Sequence, residues 1–108
     1  MFTPTALVQR VLDTAEQFHP RMFDQGNTFI DSMCGNGQFL VEILNRKFNH
    51  CNEPLLDIFG IDIMFNNVQL CRDRLTKNLT NMDNVIDYNI VCDDSLTYKY
   101  PSKLIKFI

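Results

Sequence analysis

The sequence predicts an α/β domain with a parallel sheet of three to four strands and flanking helices. Short apolar segments that end in acidic residues alternate with longer segments that carry apolar residues at helical spacing. Strands and helices in this order form right-handed β-α-β units with parallel strands. The chain fits one domain, residues 1–108, in which 1–20 form an N-terminal helix and 28–96 form a β-α-β-α-β core.

The first helix is predicted to begin at Thr3, a good N-cap, with Pro4 at the first helical position. It should end at His19-Pro20, because the residue before a proline avoids the helical conformation. One face of this helix is apolar and is expected to point inward, with Leu7, Val8, Val11, Leu12, Ala15 and Phe18.

Three strands are predicted, at 28–31, 56–62 and 85–92. The helix between the first two should run from Gln38 to Phe48, with Phe39, Leu40, Ile43 and Leu44 inward. The next helix follows the second strand, and its inward positions are Met64, Val68, Cys71, Leu75 and Leu79.

The composition excludes several classes of protein. Apolar residues make up 45% of the chain and charged residues 21%, which is typical of a globular domain. The net charge of -3 is opposite to that of most nucleic-acid-binding domains. No apolar run approaches the roughly 20 residues of a membrane span, and no secretory signal is visible. We therefore expect a cytoplasmic protein without a membrane contact.

Four cysteines are spread along the chain, and none belongs to a Cys-x-x-Cys pair. Neither histidine lies at zinc-finger spacing from them, so we expect no metal site. Cys51, Cys71 and Cys92 are interpreted as small buried thiols, and Cys34 is kept as a candidate site residue.

All three predicted strands end in acids: Asp31, Asp62 and the pair Asp93-Asp94. The carboxyl ends of parallel strands lie at one edge of a sheet, and ligands of such sheets bind there. The acids are therefore expected to converge on a ligand site.

The loop after the first strand contains Gly35 and Gly37, which tolerate positive φ and let a ligand approach the backbone. The helix that follows offers free amide hydrogens, which suits a nucleotide-like or amino-acid-like ligand. Two glycines are also compatible with a simple turn. Asp62 lies about 25 residues after Gly37, near the spacing of about 20 at which dinucleotide-binding folds place a ribose-binding acid. It is equally suited to cap the next helix.

Residues 31–39, Asp-Ser-Met-Cys-Gly-Asn-Gly-Gln-Phe, resemble the first motif of Rossmann-like S-adenosylmethionine-dependent methyltransferases. They are most similar to the D-x-x-C-G-x-G-x-F form of many DNA adenine methyltransferases. Residues 60–63 look like the second motif and 92–96 like the third, and Phe-Thr-Pro at 2–4 is similar to the F-x-T/P element before the first motif. The resemblance covers residues 1–96.

The resemblance implies S-adenosylmethionine as the cofactor. The Cys34–Gly37 loop would hold its methionine part, Asp31 would face its amino group, Asp62 would bind the ribose hydroxyls, and Asp94, or less favourably Asp93, would meet the adenine. The implied cofactor-binding residues are Thr3, Asp31, Met33, Cys34, Gly35, Gly37, Phe39, Asp62, Ile63, Asp93 and Asp94.

The sequence departs from this family in one respect. Prolines stand only at 4, 20, 54 and 101, so the catalytic (N/D/S)-P-P-(Y/F) motif is absent and no catalytic residue is assigned. The chain ends about where that motif would begin. We expect a truncated fold that dimerises or pairs with a second chain that completes the sheet, with DNA contacted only through that partner, as in restriction–modification. The alternatives are a non-catalytic module that regulates a methyltransferase and a small enzyme that consumes S-adenosylmethionine.

Overall fold

The structure, a computed structural model, describes residues 4–77 and 79–99, which form an α/β fold. Three strands, β1 (Phe29–Asp31), β2 (Ile58–Asp62) and β3 (Ile90–Cys92), make one parallel sheet in the order β1-β2-β3. The prediction of an α/β domain with a parallel sheet is confirmed.

The described residues contain four α-helices, α1 (Thr5–Phe18), α2 (Gln38–Lys47), α3 (Phe65–Thr76) and α4 (Asp83–Asn89), and a 3-10 turn at Pro54–Asp57. Helix α2 connects β1 to β2, and α3 and α4 connect β2 to β3. Helices α2 and α3 pack on the sheet, and α1 packs on α2.

The main core lies between these helices and one face of the sheet. Helices α2 and α3 contribute buried side chains at spacings of three and four residues, as the sequence predicts. Gly60 on β2 is needed for this packing, because a Cβ there would lie 2.8 Å from Leu40 Cδ1 and 3.0 Å from Cys34 Cβ. The buried residues of the two helices are Leu40, Ile43, Leu44, Val68, Cys71 and Leu75.

The predicted third strand is wrong over its first half. Residues 83–89 form α4, and only Ile90–Cys92 pair with β2. A short apolar run does not by itself distinguish a strand from a buried helix. Here Ile86 and Asn89, three residues apart, face inward, and the Asn89 side chain donates to the Leu55 carbonyl at 3.1 Å. Asp83 in the first turn also favours the helix.

Other predicted boundaries shift by a few residues. The second strand begins at Ile58 rather than 56, because Pro54–Asp57 form the 3-10 turn. Helix α2 ends at Lys47, one residue early. Met64 and Leu79 lie outside α3: Met64 is exposed, whereas Leu79 packs against the core.

Helix α1 buries a narrower face than predicted. Val8 and Leu12 are buried, but Leu7, Val11 and Phe18 are 48%, 45% and 76% exposed. Because α1 rests on α2, a narrow apolar stripe is sufficient to hold it. The helix begins at Thr5 instead of Pro4, and Thr3 lies outside the described residues. None of the helices in the part of the chain that the structure describes is long and apolar enough to cross a membrane.

A buried ion pair fixes the end of the sheet opposite the strand-end acids. Lys47 is fully buried, and its Nζ lies 3.1 Å from Asp57 Oδ2. The ammonium also donates to the carbonyls of Asp24 at 2.9 Å and Asn27 at 3.1 Å. The same Asp57 oxygen accepts the Gly26 N–H at 2.8 Å. The pair therefore fastens the 24–27 turn to α2 and to the start of β2.

Candidate functional site

The carboxyl ends of the strands bring the predicted acids to one edge of the sheet. Asp31 ends β1, Asp62 ends β2, and Asp93 follows β3. The Asp93 N–H donates to the Asp62 carbonyl at 3.1 Å, which extends the β2–β3 pairing to the acids themselves. Parallel pairing places these residues together although about thirty residues separate each from the next along the chain.

A cleft of about 320 Å³ opens between the ends of β2 and β3 and the loop after β1. Asp62, Asp93 and Asp94 line it, together with apolar side chains. Its lining includes Met33, Ile63 and Leu96, which are 81%, 70% and 91% exposed. The described residues that line this cleft include no lysine, arginine or histidine.

Asp62 joins the glycine loop to the start of α3. Its Oδ2 accepts the Gly35 N–H at 3.0 Å, and its Oδ1 accepts the Met64 N–H at 2.8 Å and Asn67 Nδ2 at 3.4 Å. The alternative role weighed for Asp62 from the sequence, the N-cap of the next helix, is wrong: Met64 is the N-cap of α3, and Asp62 accepts the N–H of that residue instead. An ionised carboxylate has about four acceptor positions, so the group retains capacity for a ligand.

Asp31 is half-buried beside the cleft, outside its lining. Burial raises the pKa of the Asp31 carboxyl, the hydrogen bond from the Met33 N–H (3.0 Å) lowers it, and the nearby negative charge of Asp62 raises it further. The net shift is upward, because burial is the largest of the three effects.

The raised pKa of Asp31 predicts a dependence of stability on pH. A carboxyl with a higher pKa in the folded state favours folding most below the unfolded value, and this contribution is lost as the pH rises through the folded pKa. Asp31→Asn keeps an oxygen for the Met33 N–H and removes the charge. We expect the variant to be more stable than the wild type at pH 7, with a difference that shrinks towards pH of about 4.

Urea denaturation at several pH values measures this effect. Asp73→Asn, at an exposed position on α3, is the control and should leave the pH profile unchanged. An Asp31→Asn profile parallel to that of the wild type would contradict the assignment.

The loop before α2 depends on its glycines. Gly35 and Gly37 have φ of +55° and +87°, a conformation that side chains disfavour. A Cβ on Gly37 would also lie 2.8 Å from Cys71 Sγ. The loop is joined to α3 by a hydrogen bond from Arg74 Nη1 to the Asn36 carbonyl at 3.2 Å. Position 37 therefore requires glycine for both conformation and space.

Gly37→Ala should destabilise the fold by about 2 kcal/mol, from left-handed strain and overpacking together. Gly26→Ala is a matched control, because Gly26 has a φ of +92° and open space around its missing Cβ. Its cost should be about 1 kcal/mol. Chemical denaturation compares the two, and the double variant Gly37→Ala/Cys71→Ala should recover part of the difference. Equal costs for the two glycines would show that the contact with Cys71 is unimportant.

Of the predicted cofactor-binding residues that the structure describes, five do not line the cleft: Asp31, Cys34, Gly35, Gly37 and Phe39. Cys34 is buried, its N–H donates to the Ile61 carbonyl at 2.9 Å, and its thiol is hydrogen-bonded to that of Cys71. Phe39 is half-buried and packs against the core. The side chains of Cys34 and Phe39 therefore pack in the core beneath the loop and do not face the cleft. Thr3 lies outside the described residues.

Sequence reasoning missed Ser32, Ser95 and Leu96 as parts of the cleft wall. Ser32 stands within the first-motif resemblance, and Ser95 and Leu96 stand within the third, so their positions next to Asp31 and Asp94 were the available signal. The backbone of Ser95 and Leu96 forms a turn in which Asp94 Oδ1 accepts the Leu96 N–H at 2.9 Å. This turn places Leu96 at the mouth of the cleft.

A larger, shallow depression of about 500 Å³ lies near the other end of β1, beside Phe18 and Met22. Among the described residues that line it, only His19 and Arg21 are ionisable, and both are exposed. It has no convergent set of buried polar groups, so the acidic cleft is the better candidate site.

The chemistry of the cleft limits its ligands. Carboxylates without a neighbouring cation attract ligands that donate hydrogen bonds or carry positive charge, and they repel phosphates. Within residues 4–77 and 79–99, no group of three or more histidine, cysteine or acidic side chains is arranged to hold a metal ion. The carboxylates of the cleft suit a ligand that carries positive charge or hydroxyl groups.

Comparison with protein-family models and curated sequences gives no relative. The chain matches no protein-family model, and no curated protein sequence matches it. Its function is therefore inferred from the residues of the cleft.

Proposed function

We propose that the acidic cleft binds S-adenosylmethionine and that the chain is the cofactor-binding domain of a methyltransferase with a Rossmann-like fold. The observation that carries this proposal is the set of acids and apolar side chains at the carboxyl edge of a parallel sheet, next to a glycine loop. S-adenosylmethionine presents a sulfonium, an ammonium, two ribose hydroxyls and an adenine amino group. Each of these is a cation or a hydrogen-bond donor.

The acids and apolar side chains of the cleft can each be matched to a group of this cofactor. Asp62 would accept the ribose hydroxyls, and Ile63 and Met33 would flank the adenine ring. One oxygen of Asp93 accepts the Asp94 N–H at 2.7 Å, and one oxygen of Asp94 accepts the Leu96 N–H. Among the described residues, no donor contacts the second oxygen of either carboxylate, so either could accept the adenine amino group. Asp31 would attract the ammonium from beside the cleft.

The proposed role is cofactor binding, with methyl transfer completed by a partner. The 108 residues contain no Pro-Pro motif to hold an amino group that accepts the methyl. The described residues that line the cleft also include none of the basic side chains that bind phosphates. A DNA adenine target would therefore be held by a second copy or a second chain that extends the sheet beyond β1 or β3.

The absence of a Pro-Pro motif from these 108 residues also favours a second candidate function. A chain that binds the cofactor without a site for an acceptor could be a regulatory module, or it could consume S-adenosylmethionine. In the latter case the cofactor's own carboxylate would attack Cγ of its methionine chain, the Cγ–S bond would break, and homoserine lactone and methylthioadenosine would form. Product analysis after incubation with S-adenosylmethionine separates these: intact cofactor indicates a module, and methylthioadenosine above the level without protein indicates an enzyme.

Calorimetric titration tests the proposed function. We expect S-adenosylmethionine and S-adenosylhomocysteine to bind with micromolar affinity, and ATP, which shares the adenosine but carries phosphates, to bind far more weakly. Circular dichroism on the same sample confirms that the protein is folded, and light scattering gives its mass. A folded protein that binds neither sulfur-containing ligand would contradict the proposal, and equal binding of ATP would contradict the role given to the acids.

A further inference from the structure

We propose that Cys34 and Cys71 form a reversible disulfide that ties the glycine loop to α3. This inference goes beyond the proposed function, since it concerns the chain's own thiols and requires no ligand. Cys34 lies in the loop after β1, and Cys71 lies in the middle of α3. Both are free cysteines and both are buried, 5% and 0% exposed.

The two thiols are neighbours in the core. Cys71 is close enough to the Cys34 thiol to raise its pKa. Gly37 connects the two residues: its N–H donates to the Cys34 carbonyl at 2.9 Å, and the place of its missing Cβ lies 3.3 Å from Cys71 Cα. The loop backbone therefore rests directly on α3 at Cys71, without an intervening side chain. A disulfide requires Cα atoms about 4.4–6.8 Å apart, and this is the separation that the oxidised pair must adopt.

The other two cysteines lack this arrangement. Cys51 is half-buried at the end of α2, where its thiol contacts the Lys47 carbonyl at 3.1 Å. Cys92 is exposed at the end of β3, and its thiol lies 3.5 Å from the Ile63 carbonyl. Of the described thiols, Cys34 and Cys71 are the two placed to join.

The oxidant we name is hydrogen peroxide, which is small enough to reach a nearly buried loop thiol. The Cys34 thiolate attacks one peroxide oxygen, the O–O bond breaks, and the leaving hydroxide takes up a proton to become water. The resulting sulfenic sulfur is attacked by the Cys71 thiolate, so that the S–S bond forms, the S–O bond breaks and a second water leaves. Two electrons pass from the thiols to the peroxide, and both thiol protons end in water.

The surroundings of Cys34 set the expected rate. The hydrogen bond with Cys71, followed by burial, raises the pKa of the Cys34 thiol. A low thiolate fraction slows the first step, so the pair should react more slowly than exposed Cys92. The product would fix Gly35 and Gly37 against α3, and the loop beside the cleft would become more rigid under oxidation.

Peptide mapping of the full chain tests the inference. In the variant Cys51→Ser/Cys92→Ser, only the proposed pair remains, and trypsin separates Cys34 in residues 22–46 from Cys71 in residues 48–72. After peroxide treatment of the folded protein and alkylation, we expect these peptides to be linked, with a mass lower by two hydrogen atoms. Dithiothreitol should restore both thiols. Adding Cys34→Ser provides the matched control, in which no link within one chain can form.

Recovery of both thiols in the alkylated form, or oxidation of each without a link, would overturn the inference. So would a link that forms only in urea. Wild-type protein mapped in the same way gives the answer if the double serine variant does not fold, because residues 22–46 contain Cys34 alone and a further protease separates Cys51 from Cys71.

Discussion

Asp57→Ala is expected to destabilise the fold by about 3–5 kcal/mol, the largest effect that we expect from a single substitution. Lys47 is fully buried, and the carboxylate of Asp57 is the negative charge that faces it, at 3.1 Å. Without that charge the ammonium keeps its carbonyl partners but remains an uncompensated cation in the interior. A buried, unpaired charge is among the costliest changes that one substitution can produce.

Removing Asp57 also takes two hydrogen bonds away from the 24–27 turn. Its Oδ2 accepts the Gly26 N–H at 2.8 Å and Gln25 Nε2 at 3.0 Å. In the variant the Gly26 N–H loses this partner, whereas Gln25 Nε2 keeps its bond to the Glu53 carbonyl at 3.0 Å. Water can replace part of this loss, because Gln25 and Gly26 are exposed. Most of the expected effect therefore comes from Lys47.

Urea denaturation followed by circular dichroism measures the change in the free energy of unfolding. Asp13→Ala is the matched control: Asp13 pairs with Arg46 at 2.8 Å, but its side chain is 64% exposed. An exposed pair of this kind contributes at most about 1 kcal/mol. The double variant Asp57→Ala/Lys47→Met should recover much of the loss, because it removes the unpaired charge. Equal effects of the two aspartate variants would show that the pair at Lys47 is not strongly buried in solution.

The α/β architecture was predictable because burial imposes periodicity. Helices α2 and α3 bury residues at spacings of three and four, and the sequence records that spacing directly. Helix α4 was missed because seven residues with two apolar positions fit a strand as well as a helix. What decides between them is tertiary: Asn89 reaches the Leu55 carbonyl, a partner 34 residues away in sequence. Such contacts have no local signal.

The candidate site was also predictable in part: the positions of its acids were, and the orientation of Cys34 was not. Acids at the ends of parallel strands must lie together whatever their separation in sequence, so Asp62 and Asp93 were placed without reference to side-chain packing. Cys34 was placed in the site by its position in the loop, but its side chain is buried against Cys71. A loop residue can face the ligand or the core, and the sequence does not distinguish these orientations. The conformation of the loop backbone decides whether the side chain faces the ligand or the core.

Asp62→Ala should weaken the binding of S-adenosylhomocysteine by about 1.5–3 kcal/mol, roughly ten- to hundredfold in Kd. The proposed interaction is two hydrogen bonds from the ribose hydroxyls to a carboxylate, and bonds to a charged acceptor are stronger than neutral ones. The same carboxylate holds the Gly35 and Met64 N–H groups, so the variant also loses stability. The measurement must therefore separate ligand contact from loop support.

Comparing two nucleosides on the wild type and on Asp62→Ala separates ligand contact from loop support. Adenosine and 2′,3′-dideoxyadenosine differ only in the ribose hydroxyls, so their affinity ratio measures what the protein gains from the diol. We expect the wild type to favour adenosine and Asp62→Ala to bind the two nucleosides about equally. If Asp62 only supports the loop, both nucleosides should weaken together and the ratio should persist.

Two further variants complete this test. Asp73→Ala removes an exposed acid on α3 outside the cleft, and both affinities should remain at the wild-type values. Asp62→Asn keeps one oxygen for the Met64 N–H but offers an amide group to Gly35 or the ribose, so it should reduce the ratio less than alanine does. A ratio that stays at the wild-type value in Asp62→Ala would remove Asp62 from the ribose site while leaving its structural role intact. Because this readout compares two ligands on one protein, partial unfolding of a variant lowers both affinities and leaves the ratio interpretable.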